Sequence, residues 1–207
     1  YEKAERNASV GDTERQVWGR KGELFVAGCE AAGVEGRSNR RAMRGCQGCS
    51  ECFYGCLIGA KQSMDRSYIP AAVEHGARFY TSSRCEELIF ENGRARGARA
   101  SVLEPGTGRR AGSVEVRAKA VVLAAGVFAS PLILLKNKIK GLSPAVGRNL
   151  MFHNGIAVAG VFDEPVNPWL GATQGCDSPA YLDRGIHMEV LWVNSALLAA
   201  RARGFGA

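Results

Sequence analysis

Four cysteines, Cys46, Cys49, Cys52 and Cys56, fall within eleven residues in the spacing C-x2-C-x2-C-x3-C. That spacing matches the bacterial ferredoxin run, except that Leu57 stands where the run has proline. Close-set thiolates on a glycine-containing loop can wrap a compact iron–sulfur cluster. Zinc is a less natural occupant, because its two cysteine pairs usually flank a longer loop. Haem attachment needs a histidine directly after a C-x-x-C pair, and none follows here. In two-cluster ferredoxins the fourth cysteine serves a second cluster, and this sequence has no second run. Two readings stay open: ligands of an iron–sulfur cluster, or reduced structural thiols. Taken as a complete account of the chain, the first would describe a small iron–sulfur electron-transfer module.

Cys29, Cys85 and Cys176 bring the total to an odd seven, and no basic-then-apolar leader follows Tyr1. Reduced thiols or a metal centre are therefore expected over a disulfide framework. A cytoplasmic location is expected on the same ground, with peripheral association at a membrane left open. No apolar run approaches the ~20 residues that span a bilayer, so no transmembrane segment is expected. The net charge is +7, and part of the excess is local, in Arg37, Arg40, Arg41 and Arg44. Such a cluster suits nucleic acid, an anionic lipid surface or a phosphate-bearing ligand. A solvated basic loop is the favoured reading, because no nucleic-acid motif accompanies it. Nucleic acid is not an expected partner.

The elements that must position these residues follow from pattern and punctuation. With 207 residues, 46% hydrophobic and 23% charged, the chain has globular proportions and forms one domain or parts of two. Residues 12 to 32 read as a helix, with Val17, Leu24, Val26 and Ala27 on one face, Asp12 as N-cap and Gly33 as stop. Residues 34 to 63 read as loop, and 64 to 75 as a short helix closed by Gly76. Strands are expected over 78–81 and 84–91, a two-residue turn at Asn92-Gly93, and a returning strand over 94–103. Residues 105–108 mark another turn before a strand over 113–117.

Residues 120–126, AVVLAAG, form an apolar run that suits a parallel strand buried on both faces. Ser130-Pro131 would then open a helix through Leu135. Small residues between strand and helix let a ligand approach the backbone, or else simply permit a tight turn. Beyond Gly147 the character changes, with frequent Pro and Gly and with Trp169 and Trp192, so a second structural unit is expected from near Asn154.

In order along the chain, these segments resemble the glucose-methanol-choline (GMC) oxidoreductase family, in its cholesterol-oxidase-like and long-chain-alcohol-oxidising branch. The resemblance rests on GCLIGAKQS at 55–63, YIPAA at 68–72, GAR at 76–78 and GRARG at 93–97. It continues through VVLAAG at 121–126, Ser130-Pro131, VGRNL at 146–150 and His153. The set covers roughly residues 46 to 153.

This resemblance implies an α/β fold: part of a Rossmann-like FAD/NAD(P)-binding domain with the beginning of an α+β substrate domain. Residues 1–63 would join the flavin domain, 64–153 would form part of it, and 154–207 would begin the substrate domain. The cofactor implied is FAD, with an iron–sulfur cluster as a possible second. The backbone at Cys85 would meet the adenine part of FAD, and Ala124, Ala125 and Gly126 would lie beside the cofactor. The reaction implied is removal of an alcohol proton and hydride transfer to flavin, from an alcohol, steroid or sugar, with electrons passed on to oxygen or another acceptor.

Some features depart from the family pattern. Lys136 to Lys140 replace its usual Ser-Gly-(Ile/Leu)-Gly turn. The glycine-rich dinucleotide fingerprint and the family's catalytic His pair are not found in this sequence. His75, His153 and His187 lie outside that context, so no catalytic residue is assigned. His153 is expected to be an interdomain hydrogen-bonding residue, and an interior fragment, inactive alone, is the expectation.

Overall fold

The computed structural model describes residues 1–192, so the expectations for 193–207 lie outside the described residues. In chain order the elements are α1 Glu2–Asn7, β1 Val10–Asp12, a 3-10 turn Arg15–Val17, α2 Gly19–Ala31, β2 Arg37–Ser38 and β3 Arg40–Ala42. Then come α3 Tyr68–Glu74, β4 Ser83–Glu91, β5 Arg94–Leu103, β6 Arg110–Arg117 and α4 Gly126–Lys136. β7 Cys176–Ser178, a 3-10 turn Leu182–Arg184 and β8 Met188–Glu189 complete the order. The class is mixed α/β, and every strand pairing among the described residues is antiparallel. Two compact units form: Tyr1–Ala77 with the chain from Ala159 onward, and Arg78–Val158.

The first unit is built around β7. This strand lies between β2 and β8, pairing Ser38 with Cys176 and Asp177 with Glu189, while α2 packs against it. Its core is small and polar rather than large and oily. Thr13, Thr173, Cys176 and Ser178 are its largest fully buried side chains. Hydrogen bonds between segments therefore matter, at roughly 1 kcal/mol each. Thr13 N–H donates to Asn39 O and Asn39 N–H to Gly175 O, both at 3.0 Å, which links the β1–β3 ladder to β7.

Where the chain at 170–172 crosses the start of α2, two glycines allow the backbones to touch. Gly19 and Gly171 have φ of +69° and +89°, and a Cβ on Gly171 would lie 2.3 Å from Trp18 O. No other residue type satisfies both conditions. The crossing is closed by Ala172 N–H donating to Val17 O and by Gly171 N–H donating to Gly48 O at 2.8 Å. The second bond ties the cysteine-bearing loop to the core.

Residues 12 to 32 form a helix only from Gly19. Asp12, the expected N-cap, instead pairs with Arg40 across β1–β3. The buried face of α2 is Lys21, Gly22 and Cys29, rather than Leu24, Val26 and Ala27. The reason is the flat partner: Gly22 sits where a Cβ would come within 3.0 Å of Cys176 Sγ, so small residues meet β7. Gly33 does end the helix, with φ of +70°.

The second unit is the antiparallel meander β4–β5–β6 with α4 beside β4. Asn92 and Gly93 take φ of +49° and +74°, the left-handed pair of a two-residue hairpin turn. Asn137, just past α4, accepts the Leu88 N–H through Oδ1 at 2.7 Å and donates to Ile133 O at 2.7 Å. Lys136 and Glu86 add an ion pair at 2.6 Å. Glu86 is held near 2, well below the usual carboxylate range, first by its bond to Lys136 and then by Arg84.

Two expected strands do not form. Residues 78–81 have no ladder, because β5 ends at Leu103, which reaches no further back than Ser82. Residues 120–125 form no strand either, and Val122 is 88% exposed. A strand meant for burial on both faces needs neighbours on both edges, and among the described residues none pairs with it. α4 opens at Gly126, earlier than Ser130. Ser130 still acts as a cap in reverse, its Oγ accepting the Ala125 N–H at 3.0 Å.

Candidate functional site

β3 makes the first decision at the site. Successive strand residues point to opposite faces. Arg40 turns outward, its guanidinium forking onto Glu5 at 2.8 and 3.1 Å, which holds that carboxyl below its ordinary value. Arg41 turns inward, donating to Thr13 Oγ1 and Thr173 O, each at 2.9 Å. The same guanidinium reaches Cys46 Sγ at 3.5 Å, Cys52 Sγ at 4.0 Å and Met43 Sδ at 3.1 Å.

All four clustered cysteines line one cavity of about 330 Å³, walled also by Ala42, Ser50, Ala60 and the segment Ala172–Gln174. The loop curls around it through left-handed residues at Gly45, Gly48, Ser50, Gly55 and Gly59. Lys61 N–H donates to Cys56 Sγ at 3.4 Å. Ser50 is 7% exposed, and its hydroxyl has no hydrogen-bond partner. All seven cysteines are free thiols. Among the described residues no three of His, Cys, Asp or Glu converge closely enough to hold a single metal ion.

Beneath this cavity lies a second cation. Lys21 is 8% exposed, and its ammonium donates to Leu170 O and, at 2.9 Å, to Gly171 O. Burial pushes its pKa down to about 8, partly offset by Cys52 and Cys176 nearby. Burial pushes the Cys176 thiol up to about 11, with Asp177 adding to the rise. A thiol this deep packs as a small apolar group.

The basic cluster lies largely on β2 and β3 rather than on a loop, yet Arg37, Arg40 and Arg44 are exposed, as expected from sequence. Arg37 pairs with buried Asp177 at 3.2 Å, Arg40 with Glu5, Arg41 enters the cavity and Arg44 donates to Ser9 Oγ at 3.0 Å. Asp177 also meets His187 Nε2 at 2.9 Å, so one buried carboxylate joins β2, β7 and the turn before β8. His75 bonds Ala71 O at 2.8 Å on its own helix.

The positions expected to meet a flavin lie in the second unit. Cys85 is half-buried on β4, the edge strand of its sheet. Leu103 N–H donates to Ser82 O, so the alternation of an antiparallel pair turns the main chain of Cys85 away from β5, toward the open edge. Ala124, Ala125 and Gly126 are exposed at the start of α4, and Gly126, with φ of +81°, has nothing within 4 Å of a built Cβ. β4 meets the other end of α4, at Lys136 and Asn137. α4 itself is about 16 Å long at 1.5 Å per residue. Each of the two sets of positions offers bare backbone, as main-chain contacts to a long dinucleotide require, so these residues fit such a group.

Sequence reading named Arg41 only within the basic cluster, not with the cysteines, and did not single out Lys21 or Ser50. The signal for Arg41 was present in its place beside the cysteine run within a strand. Lys21 and Ser50 are placed by the crossing at Gly171, which no local pattern encodes.

Comparison with known proteins places this arrangement. A GMC oxidoreductase family model matches residues 1–155. An uncharacterized GMC-type oxidoreductase of Mycobacterium tuberculosis is 33% identical over 171 residues, covering 83% of this chain and 26% of that protein. A long-chain-alcohol oxidase of Arabidopsis thaliana is 30% identical over 169 residues, covering 78% of this chain and 22% of that protein. A cholesterol oxidase of Acinetobacter baumannii is 25% identical over 152 residues, covering 70% and 27%. The chain thus spans about a quarter of the length of the curated relatives it matches. No helix among the described residues is long and apolar enough to cross a membrane. With three quarters of its length matched by that family model, the chain belongs to the GMC oxidoreductase family.

Proposed function

We propose that this protein serves an FAD-dependent oxidoreductase that oxidises the CH–OH group of an alcohol, steroid or sugar. The observation that carries this reading is the GMC family match over residues 1–155. When bound, FAD supplies the hydride acceptor. The role of this chain is to hold and orient. The outward main chain of Cys85 would receive the adenine part, and the bare backbone of Ala124, Ala125 and Gly126 would lie against the cofactor. Residues 64–153 then contribute to the flavin domain, 1–63 join to it, and 154–207 begin the substrate domain. The alcohol and steroid classes come from two relatives named for long-chain-alcohol and cholesterol oxidation, while sugar rests on the family resemblance alone.

None of His75, His153 or His187 is assigned as the base. His187 is held by Asp177 and His75 by its own helix backbone, which are structural engagements. The test is anaerobic titration of the full-length gene product that carries this chain with a long-chain primary alcohol, a 3β-hydroxysteroid and an aldose. Bleaching of the flavin bands by one class supports the reading and selects the substrate. Flavin bands that none of the three reduces, but dithionite does, would contradict oxidation of CH–OH donors.

A further inference from the structure

The cysteine-lined cavity lies outside the flavin reading. We propose that Cys46, Cys49, Cys52 and Cys56 hold an iron–sulfur cluster in this cavity, with Arg41, Ser50 and the Lys61 amide donating to its sulfurs. Four observations converge on it, and they stand independently of whether flavin binds.

The first is convergence. Thiols that the C-x2-C-x2-C-x3-C spacing could scatter along a loop all face one cavity of about 330 Å³. In two-cluster ferredoxins the last cysteine of such a run leaves for another cluster. Here Cys56 lines the same cavity as the other three, which makes it the fourth ligand. The second is size. A cluster brings its own sulfides and is ligated at its corners, so its thiolates stand further apart than those around one ion. A cavity of about 330 Å³ is also far larger than a lone ion needs.

The third is an unsatisfied donor. The Ser50 hydroxyl lines the cavity, is buried and bonds nothing, in a molecule where its neighbours Thr13 and Thr173 are bonded. A buried hydroxyl without a partner calls for an absent acceptor. A cluster sulfide or thiolate would be one. The fourth is charge. A thiolate-ligated cluster is anionic, and the guanidinium of Arg41 already reaches two of the four sulfurs, at 3.5 and 4.0 Å. Left-handed residues at Gly45, Gly48 and Ser50 give the loop the curvature of backbone nests that receive anionic centres.

The test is reconstitution of the protein under argon with ferrous iron and sulfide, followed by iron and acid-labile sulfide analysis and EPR after dithionite. Flavin content is measured on the same sample, so failure of the two readings is separable. The expected result is bound iron and sulfide in cluster proportion, with iron retention falling about tenfold or more in Cys46→Ser, Cys49→Ser, Cys52→Ser and Cys56→Ser. Circular dichroism checks that each variant is folded. Ser50→Ala keeps the cluster but lowers its reduction potential, since a donor to sulfur is lost; a merely structural serine would leave the potential unmoved. A folded protein that retains no iron and sulfide, or that takes up one zinc ion instead, would overturn the proposal. So would a cluster unaffected by Cys56→Ser, as far as the fourth ligand is concerned.

Discussion

The loop at 43–63 and the run at 118–126 are both irregular, yet the first is anchored and the second is bare. The cysteine loop is tied down by Gly48 O to Gly171, by Arg44 N–H to Ala60 O at 2.8 Å, and by Gln62 N–H to Ala42 O at 3.0 Å. Of the buried side-chain polar atoms of this loop, only the Ser50 hydroxyl lacks a hydrogen-bond partner. Residues 120–126 carry the more apolar sequence but fully bury none of it: Val121 and Leu123 are half-buried and Val122 is 88% exposed. Hydrophobicity did not decide which segment became ordered against its neighbours; available partners did. An apolar strand without ladder neighbours has unpaired N–H and C=O groups as well as exposed methyls, and neither can be satisfied locally.

Four perturbations sharpen this contrast. Gly171→Ala should have the largest effect. A Cβ there lies 2.3 Å from Trp18 O at a φ of +89°, so the crossing that anchors the cysteine loop must open. A loss of about 3 kcal/mol or more is expected in urea unfolding of the first unit, followed by Trp fluorescence. A value within about 0.5 kcal/mol of the parent would show that the crossing does not hold the loop.

Second is a pH dependence with two opposed windows. Lys21 has its folded pKa lowered to about 8, so the unfolded chain binds more protons there, and stability rises as pH climbs from about 8 toward 10.5. Cys176 has its folded pKa raised to about 11 from 9.0, so stability is lost between those values. Lys21→Met should remove the gain between pH 7 and 9, on the order of 1 kcal/mol, while leaving the alkaline loss. An unchanged profile in the variant would show that Lys21 is not the group responsible.

Third, Asn137→Ala deprives the Leu88 N–H of its acceptor, where α4 meets β4. About 1 kcal/mol of the second unit's stability should go, read as faster amide exchange at Leu88. Unchanged exchange would place the α4 anchor elsewhere. Smallest is Val122→Ser in the bare run, expected within ±0.5 kcal/mol because the side chain touches little. A cost above about 1 kcal/mol would mean that this segment is packed after all.

What could be read from sequence follows the range of the interactions. The β4–β5 hairpin was legible, with Arg94–Leu103 as its return strand, because Asn92-Gly93 and its flanking residues fix the register within a few positions. The stop at Gly33 and the turns at Gly106 and Gly108 were legible for the same reason. Residues 12 to 18 were misread as helix because β3, nearly thirty residues on, claims Val10–Asp12 as a partner. The run at 120–126 was misread as a formed strand because its composition states what it needs, not whether it is supplied. At the cysteines, the spacing disclosed the candidate ligands but not their donors. Arg41 needed the β3 alternation, and Ser50 needed the fold around Gly48 and Gly171. The exposure of Arg37, Arg40 and Arg44 was legible, but their pairing was not, because the acidic partners Glu5 and Asp177 lie far away in sequence.

The central claim is that the second unit offers its bare backbone at Cys85 and at Ala124–Gly126 to a flavin. The most direct measurement is the flavin content of the protein purified without added cofactor, released by acid and identified by chromatography. About one FAD per polypeptide is the result predicted, lost when Gly126→Val fills the open space at the start of α4. A folded protein that carries no flavin and takes up none when FAD is supplied would contradict the account.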